Sequence, residues 1–291
     1  MFQSPVVDIY VTGACNLACD YCFGEIDTKA GMARDTFLAA LRFAHFVGAS
    51  HVEFCGGEPL LYRDLDWAVE RSRSEGFALI LRTNGHLVKP RASYLAENFA
   101  AIGISVDGDA EANDRLRPLK GRRPLSPEDK LQLPLSAVLQ IKAANPSVKA
   151  ILASVATAQN VQGLRTLAEL LVERTLPIDL WKIHQFVANN FRAIRNESQF
   201  RLANTAFADL ERDLLSIVQG SFPISCRRAD EVDGSCLVIN RDGDVLVGAT
   251  RRGNIMRDDI AEIAAGLANA SSAISRNKIA TYGAGVREAR P

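Results

Sequence analysis

The chain has 291 residues, 47% of them apolar, and its 34 basic and 34 acidic residues cancel to a net charge of zero. That length and apolar share can bury a full core in one barrel-sized domain, and the cancelled charge argues against bulk attraction to nucleic acid or an anionic membrane. No apolar run reaches the roughly 20 residues that span a bilayer, MFQSPVVDIY lacks a charged segment followed by an apolar one, and six cysteines in so long a chain suit a reducing, cytoplasmic setting better than a disulfide scaffold.

A first strand is expected over 5–12 (PVVDIYVT), followed by a loop carrying Cys15, Cys19 and Cys22 in GACNLACDYCF. Thiolates are the soft ligands that iron–sulfur clusters take, and CxxxCxxC spacing brings three of them to one [4Fe-4S] cubane with its fourth iron open. A zinc knuckle would need a fourth Cys or His close by, and none follows. Tyr21 and Phe23 flank Cys22. A helix over 33–47 leads to a second strand, 51–55 (HVEFC), and then to Gly56-Gly57-Glu58-Pro59. The paired glycines let backbone approach a ligand closely, while Cys55 reads as a buried strand thiol.

A helix over 64–75 and a strand over 77–82 (FALILR) end in Thr83-Asn84-Gly85. A helix over 90–98 and a strand over 101–106 (AIGISV) run into Ser105-Val106-Asp107-Gly108, where Ser105 and Asp107 share a face. Asn-Gly and Asp-Gly are also ordinary turn chemistry. Asn113-Asp114-Arg115-Leu116-Arg117 follows, and the Arg-, Lys- and Pro-bearing segment 117–134 reads as a basic loop leading into a helix over 127–144. Next come a strand over 148–155 (VKAILASV), a helix over 161–174, a sixth strand over 178–187 (IDLWKIHQFV) and a helix over 199–218.

On that sixth strand Lys182 and His184 share one face, Trp181 and Ile183 the other. The bulky apolar pair packs against helices, which turns the polar pair inward. A cation inside a barrel is costly unless it meets an anion, so Lys182 implies a phosphate or carboxylate on a substrate, with a snorkelling lysine as the alternative. His184 reads equally as a satisfied core histidine, a substrate contact or a proton relay. Strands alternating with helices give an α/β fold, a partial (β/α)6 barrel with its site at the C-terminal strand ends. Residues 1–190 make this core. Residues 191–291 add a C-terminal helix, a hairpin turning at Arg241-Asp242-Gly243 and a tail, covering the barrel mouth within the same structural domain.

The cysteine loop, the GGEP turn and the polar strand ends, in that order, resemble the radical S-adenosylmethionine (SAM) superfamily. The resemblance implies a [4Fe-4S] cluster on Cys15, Cys19 and Cys22, with the amino and carboxylate groups of SAM on the open iron. It implies reductive cleavage of SAM to methionine and a 5′-deoxyadenosyl radical that abstracts hydrogen, with electrons from an external donor such as flavodoxin or ferredoxin. SAM would lie against Gly56, Gly57, Glu58, Pro59, Asn84, Ser105 and Asp107. Its carboxylate would pair with Arg115 or Arg117, because a guanidinium fork donates two parallel hydrogen bonds. Tyr21 and Phe23 would shield the cluster and pack near adenine.

WKxxQ on the sixth strand, ISCRR (224–228) and GSCLVINRDGDVLV (234–247) are similar to the viperin-like branch, which dehydrates a nucleoside triphosphate. There Lys182 matches a phosphate contact. That branch holds its triphosphate with a Lys and an Asn on the fifth strand, where this chain has Ile151 and Ala153, and neutral side chains do not balance about four negative charges. The expectation is therefore a radical SAM enzyme acting on a small anionic, nucleotide-like substrate, with Lys182 and His184 at the reacting end. Two alternatives stand beside it. One is modification of a ribosomally made peptide, although Cys55, Cys226 and Cys236 are too few for the extra clusters such enzymes often hold. The other is a noncatalytic cluster-binding protein, against which the intact motifs argue.

Overall fold

The computed structural model describes residues 5–22, 24, 31–121, 125–189 and 191–267. In chain order they form β1 (Val6–Thr12), α1 (Arg34–Phe46), β2 (His51–Gly56), α2 (Leu65–Ser74), β3 (Ala78–Thr83), α3 (Ala92–Asn98) and β4 (Ala101–Ser105). Then follow α4 (Ala110–Leu116), α5 (Pro127–Ala144), β5 (Lys149–Ala156), α6 (Val161–Glu173), β6 (Leu180–Gln185), α7 (Phe191–Arg195), α8 (Glu197–Phe200) and α9 (Asn204–Val218). The remainder is β7 (Ile224–Arg227), α10 (Ala229–Val232), β8 (Leu237–Ile239), β9 (Asp244–Val247), β10 (Thr250–Asn254) and α11 (Ile260–Gly266). The alternation of strand and helix from β1 to β6 is the expected α/β pattern, with boundaries within two residues of those read from sequence.

The chain divides into two compact units. The first takes residues 1–15, 24–82 and 233–291. In it β1 pairs in parallel with β2 on one side, Val6 opposite His51, and with β8 on the other, Asp8 opposite Val238. β2 pairs in parallel with β3. β8 and β9 form the antiparallel hairpin read around Arg241-Asp242-Gly243, Leu237 opposite Val247, and β10 adds a further antiparallel strand. The core gathers Ile9, Phe54 and Phe37, with the rings of Phe37 and Phe54 5.8 Å apart. α1 supplies its share because Phe37, Ala40, Leu41 and Ala44 recur at helical spacing and are all buried.

The second unit takes residues 16–23 and 83–232. Here β4, β5, β6 and β7 run parallel in that order. α5 begins where Ser126 Oγ accepts the Asp129 N–H at 3.1 Å and Pro127 takes the first turn, where a missing N–H costs nothing. α5 therefore starts at Pro127, and residues 127–134 of the segment read as a basic loop over 117–134 are helical instead, because Ser126 caps the helix and Pro127 suits its first turn. Pro134 lies inside α5, and a Cβ on Gly85 would stand 2.7 Å from the Pro134 Cα. Gly85 also has φ +81°, so glycine is required there twice over. The sequence reading missed α4, α7, β7, α10, β10 and α11, all seven residues or shorter. Among the described residues, no helix is long and apolar enough to cross a membrane.

Candidate functional site

In the first unit, the turn after β2 is held by backbone. Gly57 N–H donates to the Thr12 carbonyl and Glu58 N–H to the Ala14 carbonyl, each at 2.7 Å. A Cβ on Gly56 would stand 2.4 Å from the Thr12 carbonyl oxygen, and one on Gly57 would stand 2.3 Å from that of Ala14. The glycines are needed to lay this turn against the chain leading into Cys15, a requirement the sequence reading assigned only to a ligand. Glu58 is fully buried and caps the following 3₁₀ turn, Pro59–Leu61, by accepting the Leu60 N–H at 3.2 Å. Pro59 opens that turn. Beside it, Tyr62 donates to the Met32 carbonyl at 2.8 Å, and burial pushes its phenol up to about 12.

In the second unit, the cysteine loop is fastened at several points. Ala18 N–H donates to the Pro118 carbonyl at 2.9 Å and Lys120 N–H to the Asn16 carbonyl at 2.8 Å, around an antiparallel bridge between Leu17 and Leu119. Asn84 Nδ2 donates to Asn16 Oδ1 at 2.7 Å, and Asn196 Nδ2 donates to the Asp20 carbonyl at 3.1 Å. The Tyr21 ring meets Phe200 edge-on at 5.6 Å. Cys19 is buried and Cys22 half-buried, as is Cys15 in the first unit, and none of the three is in a disulfide. Phe23, read as the second flanking aromatic, lies outside the described residues.

At the end of β4 a buried triad forms. Tyr21 donates its hydroxyl to Asp107, and Arg117 Nη1 donates to Asp107 Oδ2 at 2.7 Å and to Tyr21 Oη at 3.2 Å. The other Asp107 oxygen accepts the Val155 N–H at 2.6 Å. Asn113 Oδ1 accepts the Asp107 N–H at 3.0 Å, and Asn160 Nδ2 donates to the Asp107 carbonyl at 2.8 Å. Burial, reinforced by the Asp107 charge, holds the Tyr21 phenol well above its ordinary range. Burial pulls the Arg117 guanidinium down, but Tyr21 and Asp107 outweigh it and the net direction is upward. Tyr21 therefore stays a neutral donor and Arg117 a cation. Arg115 differs: it reaches outward and donates to the Gln159 carbonyl at 2.7 Å.

Ser105 lies in register with Ala153, and Ala153 with Lys182, so these three share one face of the second unit's strands. Lys182 is only 6% exposed and His184 half-buried, while Trp181 and Ile183 on the opposite face are completely buried, with the indole N–H on Ser154 Oγ at 2.9 Å. This is the split of faces the sequence predicts. Asn16, Pro118, Asn160 and Val155 left no sign in the sequence as supports, because each meets a partner dozens of residues away along the chain; Asn113 stood inside a quoted segment without a role.

The residues fit an iron–sulfur cluster and SAM in donor chemistry. Two of the three thiols, Cys19 and Cys22, sit on a loop of the second unit fastened independently of any ligand, and in the first unit the turn after β2 has a second glycine with no room for a side chain. Among the described residues, no group of three His, Cys, Asp or Glu is placed to hold a metal ion. A cubane takes each thiolate on a different iron, so its ligands stand apart rather than converging on one ion.

The family model that matches the chain, over residues 9–170, is described as the Radical SAM superfamily. Among curated proteins, the chain is 32% identical over 130 residues to the Fe-coproporphyrin III synthase of Methanosarcina barkeri, covering 41% of this chain and 31% of that protein. It is 35% identical over 107 residues to an S-adenosylmethionine-dependent nucleotide dehydratase of Selenomonas ruminantium, covering 35% of this chain and 38% of that one. The chain thus spans about a third of the length of each relative. Among solved structures, anSMEcpe with bound AdoMet and a Cp18Cys peptide shares the fold with a TM-score of 0.68 at 18% identity, covering 89% of this chain and 80% of that one.

Proposed function

This chain belongs to the radical SAM superfamily, and from that premise we propose that it is an enzyme that cleaves SAM reductively and abstracts hydrogen from a small anionic, nucleotide-like substrate. When bound, the cluster and SAM would supply an electron and a carbon radical able to take hydrogen from an unactivated C–H bond. Cys15, Cys19 and Cys22 are the proposed ligands of a [4Fe-4S] cluster. Backbone at Gly56 to Pro59 receives the amino end of SAM, and Asn84 and Ser105 offer polar contacts at the strand ends. Arg117 is the proposed partner of the SAM carboxylate, supported over Arg115 by its burial beside Tyr21 of the cysteine loop. Asp107 orients Arg117 and Tyr21 together.

The observation that carries the substrate class is Lys182, 6% exposed on a strand's inner face. An ammonium on that face can donate a charge-assisted hydrogen bond to an anionic ligand. His184, two residues on along the same face, is the proposed second contact to that ligand, able to hold or pass a proton. The nucleotide dehydratase among the relatives supports a nucleotide-like ligand.

The test is 5′-deoxyadenosine release, read by mass spectrometry, from anaerobically reconstituted and reduced protein given SAM and a panel of nucleotides, sugar nucleotides and peptides. Release stimulated by one nucleotide class, absent in Cys19→Ala, is the expected result, and Lys182→Ala should weaken substrate use far more than SAM binding. Stimulation by peptides alone would move the substrate to that class. A cluster-loaded protein that releases nothing under any condition would end the enzyme reading.

A further inference from the structure

The loop that carries Cys19 and Cys22 is tied to the end of β4 by one of its own side chains. Tyr21, next to Cys22 in the chain, donates to Asp107 and accepts from Arg117 Nη1 at 3.2 Å. The Arg117 and Asp107 side chains are only 13% and 1% exposed. Asp107 also faces β5, where its Oδ1 accepts the Val155 N–H at 2.6 Å. Three donors, Tyr21, Arg117 and Val155, therefore offset the carboxylate charge, whereas among the described residues Asp107 is the one carboxylate that answers the guanidinium. Cys19 lies within electrostatic reach of this triad. Burial and then Asp107 act most strongly on the Tyr21 phenol, and Tyr21 and Asp107 outweigh burial at Arg117, but the Cys19 thiolate pushes both groups upward as well. Coulomb attraction is mutual, so a thiolate that steadies the cation is itself steadied by it.

We propose that the Arg117 cation, fixed by Asp107 and Tyr21, raises the reduction potential of the cluster that Cys15, Cys19 and Cys22 would hold, and so tunes electron uptake apart from any contact with SAM. The inference rests on the cluster reading above and concerns the step before SAM is cleaved. In that step one electron passes from a low-potential one-electron reductant to the cluster, and no bond forms or breaks. Reduction adds a negative charge to the cluster, and cluster potentials follow the net charge, hydrogen bonding and solvent exposure around them. A buried cation favours the more negative state. One unit charge within about 10 Å, at an effective dielectric near 20, changes a one-electron equilibrium by roughly tenfold or more.

Electron paramagnetic resonance of the anaerobically reconstituted protein, poised at a series of potentials with dithionite and without SAM, reads the cluster midpoint directly. Arg117→Gln should make the cluster about tenfold harder to reduce, a fall of about 59 mV for a one-electron couple, while Asp107 keeps its Tyr21 and Val155 donors. Arg117→Lys should stay within about threefold of the wild type. Asp107→Asn, which leaves the same cation without its counterion, should move the midpoint the other way. Opposite signs at two residues in mutual contact separate a charge effect from a general disturbance of the loop. Iron content and melting curves establish that each variant is loaded and folded, and either Arg117→Gln or Asp107→Asn alone gives the sign. An unchanged midpoint in Arg117→Gln, an equal fall in Arg117→Lys, or a fall in Asp107→Asn would overturn the inference and leave the cluster reading intact. A wild-type protein that loads no [4Fe-4S] cluster would overturn the cluster reading itself, and this inference with it.

Discussion

The turn after β2 and the strand end after β4 are built by opposite means. At Gly56-Gly57-Glu58-Pro59 the architecture is backbone on backbone: two 2.7 Å hydrogen bonds to Thr12 and Ala14, and two positions where a side chain would collide. At Asp107 it is side chain on side chain, a carboxylate answered by a guanidinium, a phenol and a backbone N–H. The first region has no room for added volume at its glycines. The second depends on the Asp107 charge that faces Arg117.

Asp107→Asn tests this contrast most severely, since it keeps the shape and leaves Arg117 buried without its counterion. Breaking a buried pair from one side costs about 3–5 kcal/mol, read as a lowered denaturation midpoint of the cluster-free protein; a loss under about 1 kcal/mol would show that hydrogen bonding alone holds the triad. Gly57→Ala comes next. One methyl group against the Ala14 carbonyl should cost about 1–3 kcal/mol, the usual range for overpacking, whereas Gly266→Ala, with nothing within 4 Å of its added Cβ, should be neutral or stabilising. Equal effects at the two glycines would refute the backbone account.

A third effect, seen only on acidification, is a pH dependence in the charge-built region. His86 stands two residues after Asn84, and burial, aided by the Arg117 and Lys130 charges, pulls its pKa down to about 4. The unfolded chain takes up this proton near pH 6.5, while the folded chain refuses it until about pH 4. His86 therefore contributes stability that is complete above pH 6.5 and is lost as the pH falls through that window. Replacing it in His86→Gln should flatten the stability profile between pH 6.5 and 4, and an unchanged slope would assign the pH dependence to other groups.

Much of the fold was legible because its signals are local. The six strands read from apolar runs, the helices between them and the split of Lys182 from Trp181 all follow from periodicity within a few residues. β7 was passed over because four residues, ISCR, are too short for alternation to register. The chain also named both Tyr21 and Arg117 as site residues, yet their partnership spans 96 positions and leaves no mark in the spacing of either. Gly56 and Gly57 were found by motif, but the reason for them was the Thr12 and Ala14 carbonyls.

By itself, the sequence determined the α/β class, the order of its elements and the three thiols on one loop, because each depends on chemistry and periodicity within a short stretch of chain. The tertiary structure alone decided that Asp107 answers Arg117 and Tyr21 and that Arg115 turns outward. Those pairings depend on strand register and on desolvation, and both exist only once distant segments have packed.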